Sequence, residues 1–514
     1  MNGLLRKFTF LSLAWSLAFG RALAAESNNA PATVAELRQR IQELTSHPRY
    51  QAAMWGIKIL NLDTHQLVFA QNAEKLFSPA SNSKLYSMAL ALDRLGPDYR
   101  IRTSMFARAK PDANGVLASD LLVYGRGDPT LTLKRNGGDI HRALQPLVSA
   151  LTNAGVRQIK GDLIGDESFL HGDPYGAGWE WEDLQSYYGA EISSLTINDN
   201  TLQVIIKPGA EVGQPCRISF APATDFLVVS NRTHSLPKGA KRSLSLHRSL
   251  GENVLYVSGG LAVDDAQAFT DDVTVHGPAR LFVELLRETL QRAGLTVTGR
   301  VRSVNWLDRE VEPVDWSLWK ELAGLDSPPL SELLMEVMKP SQNLYTDLLL
   351  EHVGMVQLKG TPLNAGETSE EAGIHALRAF LAEVKIPRGE VSFNEGSGLS
   401  RNNLTTPNAT TALLTFMNHH KYREAYYNAL PIAGVDGTLR RRMKGTVAEG
   451  KLRAKTGTLS GANSLAGYVT TAAGEHLAFC LMLNRFQGGE PDRAKTADLD
   501  AIAVMLAGFT GKTE

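Results

Sequence analysis

Cysteine is nearly absent: the 514 residues contain two, Cys216 and Cys480. That excludes a disulfide framework and a cysteine-ligated metal cluster. Cys480 lies in the apolar run 477–483 and reads as a free thiol in a buried strand. No His or Cys pattern has metal-ligand spacing, so neither a metal nor a cofactor is expected. Charge of one sign is also lacking, with 53 Lys and Arg against 54 Asp and Glu. A balanced chain has no broad basic field to draw in nucleic acid, and Arg440-Arg441-Arg442 reads as a solvated face. Beyond the N-terminus no apolar run is long enough to cross a bilayer. What remains is ordinary for a soluble globular protein, 43% hydrophobic and 21% charged, and long enough for about three domains.

The N-terminus combines Arg6 and Lys7, an apolar run from Phe8 to Phe19, and Ala22-Leu23-Ala24, a small-x-small cleavage site. This pattern predicts a signal peptide over 1–24 and an exported mature chain without a membrane anchor; an uncleaved anchor is the alternative. No cysteine follows the site, which argues against a lipoprotein.

Apolar spacing predicts a helix over 34–44, then strands 54–62 and 67–70 around Asp63-Thr64-His65. Leu85, Met88, Ala89 and Leu92 then recur on one face, placing Ser81 in the first turn of an amphipathic helix. From about 101 to 314 short β-branched runs alternate with turn residues, among them 121–124, 202–206, 226–230 and 254–258. Helices near 140–154 and 278–293 interrupt them. Each ends in Ala-Gly and an aliphatic, which reads either as an echo of two related inserted units or as a common helix cap before a strand. Helical texture returns from about 315, with helices at 330–338 and 344–353. Strands at 451–458, 464–470 and 477–483 and a helix at 491–509 follow. The expected architecture is an α/β (α+β) catalytic domain in two parts, 25–100 and 315–514. A strand-rich insertion at 101–314, of two smaller domains, splits it.

Ser-x-x-Lys occurs at Ser81, Ser235 and Ser317, where chance alone gives about two. Ser235-Leu236-Pro237-Lys238 sits in a turn-rich stretch, and Ser317-Leu318-Trp319-Lys320 reads as a capped surface helix. Only Ser81 follows a strand pair and opens an apolar helix. Residues three apart share a helix face, so the Lys84 amine can reach the Ser81 hydroxyl. Serine needs a base to become a nucleophile, and lysine serves once desolvation or a second cation lowers its pKa. The competing reading is a serine cap with a solvated lysine. Lys455-Thr456-Gly457-Thr458 is rarer: Lys-Thr-Gly occurs once, against roughly 0.1 expected. Lys455 can supply the second cation and a counter-charge for a substrate carboxylate. Thr456 and Thr458 offer hydroxyls, and Gly457 permits close approach of a substrate backbone. An ordinary hairpin turn is the alternative. Ser341-Gln342-Asn343, between two helices, can present both polar side chains to a cleft, although Ser27, Ser303 and Ser400 also begin a Ser-x-Asn.

The order Ser-x-x-Lys, Ser-x-Asn, Lys-Thr-Gly is that of penicillin-binding proteins and class A β-lactamases. Pro79-Ala80-Ser81-Asn82-Ser83-Lys84, Gly125-x-Gly127-Asp128-Pro129, Gly396-Ser397-Gly398-Leu399-Ser400-Arg401 and Lys455-Thr456-Gly457-Thr458 together resemble the class C low-molecular-mass penicillin-binding proteins. These are D-alanyl-D-alanine carboxypeptidase/endopeptidases of the penicillin-binding-protein 4 type, with a serine β-lactamase/D,D-peptidase-like catalytic domain. The resemblance implies that Ser81 forms the acyl-enzyme and Lys84 is its base. It implies that Ser341 and Asn343 complete the proton network, that Lys455, Thr456, Gly457 and Thr458 bind the terminal carboxylate, and that the backbone amides of Ser81 and Thr458 form the oxyanion hole. Asp183 and Tyr188 resemble the family's pocket for the amine end of the stem-peptide side chain; a polar surface loop reads equally well. Two departures stand out: Gln342 where Asp is frequent, and Glu395 where Asp usually precedes the Gly-Ser-Gly turn. The implied function is periplasmic serine-type D-Ala-D-Ala carboxypeptidase, with endopeptidase activity beside it, acting on peptidoglycan stem peptides and acylated by β-lactam antibiotics. A β-lactamase or esterase on the same scaffold is the alternative enzyme, although no segment is assignable to the deacylating glutamate of class A. An inactive wall-binding scaffold protein is the third reading.

Overall fold

In the computed structural model residues 30–488 and 495–513 are described; the expected signal peptide, 1–24, lies outside them. Met54–Asn61 and Leu67–Gln71 pair antiparallel around the Asp63-Thr64-His65 turn, where His65 takes a left-handed φ of 61°. Met54–Asn61 also pairs with His476–Asn484, more than 400 residues away in the chain. The resulting five-stranded antiparallel sheet runs Leu452–Leu459, Ala462–Thr470, His476–Asn484, Met54–Asn61, Leu67–Gln71. One sheet therefore joins the first and last parts of the chain, with the Lys-Thr-Gly strand at its edge.

The sheet is buried on both faces, and side-chain alternation sorts its residues. Along His476–Asn484, Leu477, Phe479, Leu481 and Leu483 pack with Val34–Thr45 and Ala497–Gly508 through Leu37, Ile41, Leu499 and Leu506. Ala478, Cys480 and Met482 face the opposite layer of Leu85, Leu333, Leu348 and Leu413. Burying each such Leu or Phe contributes about 1.5–3 kcal/mol, which is what holds the α/β/α layers together. Ser83–Leu95 is the central helix of that second layer, and every residue from Ser83 to Leu92 is buried. The single apolar face expected for it is too narrow a description: it packs against Asn343–Gln357, and all its sides are buried as far as Leu92. Both cysteines are buried free thiols.

The insertion is built on the sheet Val301–Val304, Leu163–Asp166, Leu121–Tyr124, Arg102–Ala107, Lys320–Asp326. Its last strand pairs with Arg102–Ala107, so the inserted sheet extends past the expected boundary at 314 to 326. Lys320–Asp326 mixes charge, Gly and Leu without alternation, and only the pairing partner identifies it as a strand. The helices Ile140–Asn153 and Pro278–Arg292 are each followed by two short strands, and those strands lie parallel to each other, 296–297 beside 158–159 and 301–304 beside 163–166. The two stretches that carry the Ala-Gly echo thus lie side by side in one layer. Residues 201–274 add two three-stranded sheets, whose Leu202, Val204, Leu255 and Val257 share one continuous apolar cluster with those helices. The strand expected at 226–230 starts two residues later and is longer, Val228–Leu236. Ser235 is therefore a strand residue, not a turn residue, and its hydroxyl accepts from the Gly209 N–H.

Candidate active site

Ser81 sits in a short 3-10 turn, Ala80–Asn82, that leads directly into the helix Ser83–Leu95. It is thus one turn earlier than the helix proper. Ala80 holds a left-handed φ of 47°, a conformation that costs a non-glycine residue about 1–3 kcal/mol. Its surroundings over-determine it. The Ser464 hydroxyl donates to the Pro79 carbonyl at 2.6 Å, and the Asn484 amide brackets Ser78 through its N–H and its C=O. Gly398, at φ 83°, lies so close beneath that a Cβ there would stand 1.9 Å from the Ala80 carbonyl oxygen. On the other side a Cβ at Gly457 would stand 2.4 Å from the Pro79 oxygen and 3.1 Å from the Ser81 nitrogen. Both glycines are required by close approach of backbone to the turn that presents Ser81.

Lys84 is fully buried. Its Nζ lies 2.6 Å from Asn343 Oδ1, 2.6 Å from the Ser397 carbonyl oxygen and 3.1 Å from Ser81 Oγ. The two short contacts are to pure acceptors and take two N–H bonds. A neutral amine then has its lone pair left over for the third direction, toward the Ser81 hydroxyl. Burial pushes the Lys84 pKa down to about 8, against the pull of the carboxylates of Asp347 and Glu395.

Asn343 opens the helix Asn343–Gln357, and its Nδ2 donates to the Tyr188 carbonyl at 2.9 Å. Ser341 precedes it with a left-handed φ of 68°, and its hydroxyl accepts from Lys455 Nζ at 2.7 Å. Lys455 is fully buried, and burial together with the Lys84 charge holds its amine well below the ordinary lysine range. Strand alternation turns Lys455 and Gly457 toward the Ser81 turn and Thr456 and Thr458 to the other face. There Thr456 Oγ1 meets Thr438 Oγ1 at 2.8 Å, and Thr458 is exposed. Hydrogen bonds thus join Ser81, Lys84 and Asn343 in one set and Ser341 and Lys455 in another, the two coupled through the charge of Lys84 acting on Lys455.

Asp183 and Tyr188 lie on the inserted segment that reaches back to this set. Tyr188 contributes its carbonyl to Asn343. The half-buried Asp183 carboxylate accepts from the Glu180 N–H at 3.2 Å, and burial raises its pKa. Arg401 fastens the same loop, with Nε 2.6 Å from Glu180 and a terminal N–H donated to the Ser460 carbonyl at 3.1 Å.

Reading the sequence missed the carboxylates behind Lys84. Glu395 accepts from the backbone N–H groups of Ser397 and Gly398 and from Asn403 Nδ2, and so shapes the Gly-Ser-Gly turn whose carbonyl holds Lys84. Asp347 accepts from the Gly396 N–H at 3.0 Å, and burial beside Glu395 drives its pKa well above the usual carboxylate range. Its place four residues after Asn343, on the same helix face, is a signal that could have found it. Thr438 carries no such signal.

The sequence matches the D-Ala-D-Ala carboxypeptidase 3 (S13) family over residues 37–506. The chain belongs to that family. A D-alanyl-D-alanine carboxypeptidase of Actinomadura sp. is 32% identical to this S13 chain over 501 residues, 95% of this chain and 88% of the relative. The D-alanyl-D-alanine carboxypeptidase DacB of Haemophilus influenzae is 26% identical, over 92% of this chain and 94% of its own. The crystal structure of penicillin binding protein 4 from Haemophilus influenzae shares the fold at a TM-score of 0.77 and 25% identity, covering 91% of this chain and 99% of that one. This S13 protein is accordingly an enzyme of the serine carboxypeptidase class, and its mixed α/β catalytic fold is that of a penicillin-binding protein.

Proposed function

We propose that this S13 enzyme cleaves the D-Ala-D-Ala terminus of peptidoglycan stem peptides through an acyl-enzyme on Ser81, and opens D,D-cross-links by the same chemistry. The observation that carries this reading is the Lys84 amine, spent on two acceptors and left with one direction, toward Ser81 Oγ. Lys84 takes the Ser81 proton as Oγ bonds to the carbonyl carbon. Charge developing on the carbonyl oxygen is met by the N–H groups of Ser81 and Thr458. The proton reaches the leaving amine through Ser341, which Lys455 orients. The acyl ester is then hydrolysed by water, regenerating the Ser81 hydroxyl. Lys455 holds the substrate carboxylate, whose charge offsets the desolvation of the Lys455 amine. Asp183 and Tyr188 line the approach for the stem-peptide side chain. β-Lactams acylate Ser81 because their strained amide and carboxylate mimic the same terminus; a β-lactam complex is known for the Haemophilus influenzae penicillin binding protein 4. The N-terminal pattern and the absence, among the described residues, of a helix fit to cross a membrane support export to the periplasm.

The test is release of D-alanine from a pentapeptide and cleavage of cross-linked muropeptides, followed by chromatography with Ser81→Ala as control. Wild type is expected to yield both products and the variant neither; equal behaviour of the two proteins overturns the assignment. The same assay carries a pH prediction. The base is the neutral amine, and with a pKa of about 8 about one Lys84 in ten is neutral at pH 7. Acylation therefore rises with pH, about tenfold per unit below pH 8, and levels off above it. A rate independent of pH between 6 and 8 contradicts Lys84 as base.

A further inference from the structure

A cavity of about 400 Å³ lies between the helix Ser369–Glu383, Asn343–Gln357 and the inserted segment 171–177, away from the residues around Ser81. A second, of about 260 Å³, continues into the insertion, and Glu351 lines both. The buried carboxylates around these spaces are otherwise accounted for. Glu191 accepts from the Tyr175 hydroxyl, the His276 ring and the Gly277 N–H. Glu167 accepts from the Ser193 hydroxyl, and Glu370 from the Ala177 N–H. Glu351 is 6% exposed, and among the described residues its carboxylate takes part in no hydrogen bond or ion pair. Burial and the Glu370 charge hold the Glu351 carboxyl well above the usual range, and burial with the charges of Glu395, Glu371 and Asp173 raises Glu370 to about 8.

An unpaired carboxylate in such a place is costly unless it stays protonated or receives a cation. The surrounding groups leave the negative sign dominant. Asp173, Glu370 and Glu371 share the first cavity, where the guanidinium on its wall belongs to Arg378, an exposed residue. His375 also lines the cavity and pairs with Glu367. His171 stacks on Trp306, and burial lowers its pKa. Among the described residues no three ligating side chains converge as a metal site. The remaining wall includes Ile374 and Phe393, and the volume far exceeds one ion. Carboxylates in a mostly polar cavity that also carries the apolar side chains of Ile374 and Phe393 suit an ammonium group on a short hydrocarbon stem.

We propose that this cavity binds a primary alkylammonium compound, its charged head between Glu351 and Glu370 and its stem against Ile374 and Phe393. The site stands apart from the Ser81 chemistry and does not depend on it. It adjoins that chemistry through the chain itself: Glu370 holds Ala177, and the next residue, Gly178, packs on Ser400 and Asn402 beside the Gly-Ser-Gly turn.

Titration calorimetry of the full protein with n-pentylamine at pH 7.5 tests it, with 1-pentanol and magnesium chloride as separate titrants. Expected are saturable one-to-one binding of the amine and none of the alcohol. The apparent enthalpy should vary with the ionisation heat of the buffer, because protons leave the two carboxyls. Glu351→Gln is expected to weaken binding at least tenfold while leaving the thermal midpoint unchanged or higher. Glu370→Gln is the second variant should the first not fold, with a similar loss. No saturable heat, binding unchanged in the variants, equal binding of the alcohol, or displacement of the amine by magnesium would each overturn the proposal.

Discussion

Replacing Lys84 by methionine is expected to lower the rate of acylation of Ser81 by a factor of about 10²–10⁴, the usual worth of a positioned general base. Methionine matches the length of the lysine stem, so packing beneath the sheet is retained. What is lost is the amine that touches Ser81, Asn343 and Ser397. Two consequences separate this from a folding defect. Burial of Lys84 already works against its charge, so removing the amine relieves desolvation and leaves no opposite charge newly stranded beyond Asp347 and Glu395. Burial and the neighbouring Glu395 charge already hold the Asp347 pKa well above the usual carboxylate range. The variant should therefore unfold within a few degrees of wild type while reacting with benzylpenicillin far more slowly. Its remaining rate should also lose the rise toward pH 8. Stopped-flow or quenched acylation at several pH values reads both. A variant that acylates within threefold of wild type is incompatible with Lys84 as base.

Gly457→Ala should have the second largest effect, for a steric reason. Its backbone is not in the left-handed region, so alanine meets no torsional barrier. Its Cβ would instead stand 2.2 Å from Ser464 Oγ and 2.4 Å from the Pro79 carbonyl oxygen. Ser464 Oγ could rotate, but it donates to that same Pro79 oxygen, and the Pro79 oxygen is backbone. The edge strand must therefore move away from the Ser81 turn. Overpacking of this kind costs about 1–3 kcal/mol of stability. The catalytic loss should be larger than the stability loss implies, because the shift separates Lys455 and the Thr458 N–H from Ser81. A 1 Å misplacement can cost on the order of 10² in rate. Thermal unfolding and acylation rate, measured on one preparation, should show a modest fall in midpoint and a rate lower by about 10². Full activity would mean that the strand does not bear on Ser81 as described.

What could be read from the sequence was local or carried by rare spacing. Helix periodicity puts Lys84 on the face of Ser81 whatever the rest of the chain does, and a single Lys-Thr-Gly strand has few competing readings. The strand His476–Asn484 was legible because both of its faces are buried and apolar. Other features depended on partners that no local pattern names. Lys320–Asp326 is a strand only because Arg102–Ala107 lies beside it. Glu395 looked like a minor departure from a family motif, yet its extra methylene still lets the carboxylate gather the backbone N–H groups of Ser397, Gly398 and Ser400. The role of Tyr188 is carried by its carbonyl, an atom that every residue type possesses. Arg401 was quoted as part of a motif, but its tie to Glu180 spans more than two hundred residues.

The central claim is that Ser81 becomes covalently acylated with Lys84 as its base. Intact-protein mass spectrometry after incubation with benzylpenicillin, followed by peptide mapping, tests it most directly. The account predicts a stoichiometric adduct of the mass of the antibiotic, located on the peptide carrying Ser81 and absent from Ser81→Ala. An adduct of the same yield in Ser81→Ala, or one mapping to Ser235 or Ser317, would contradict it.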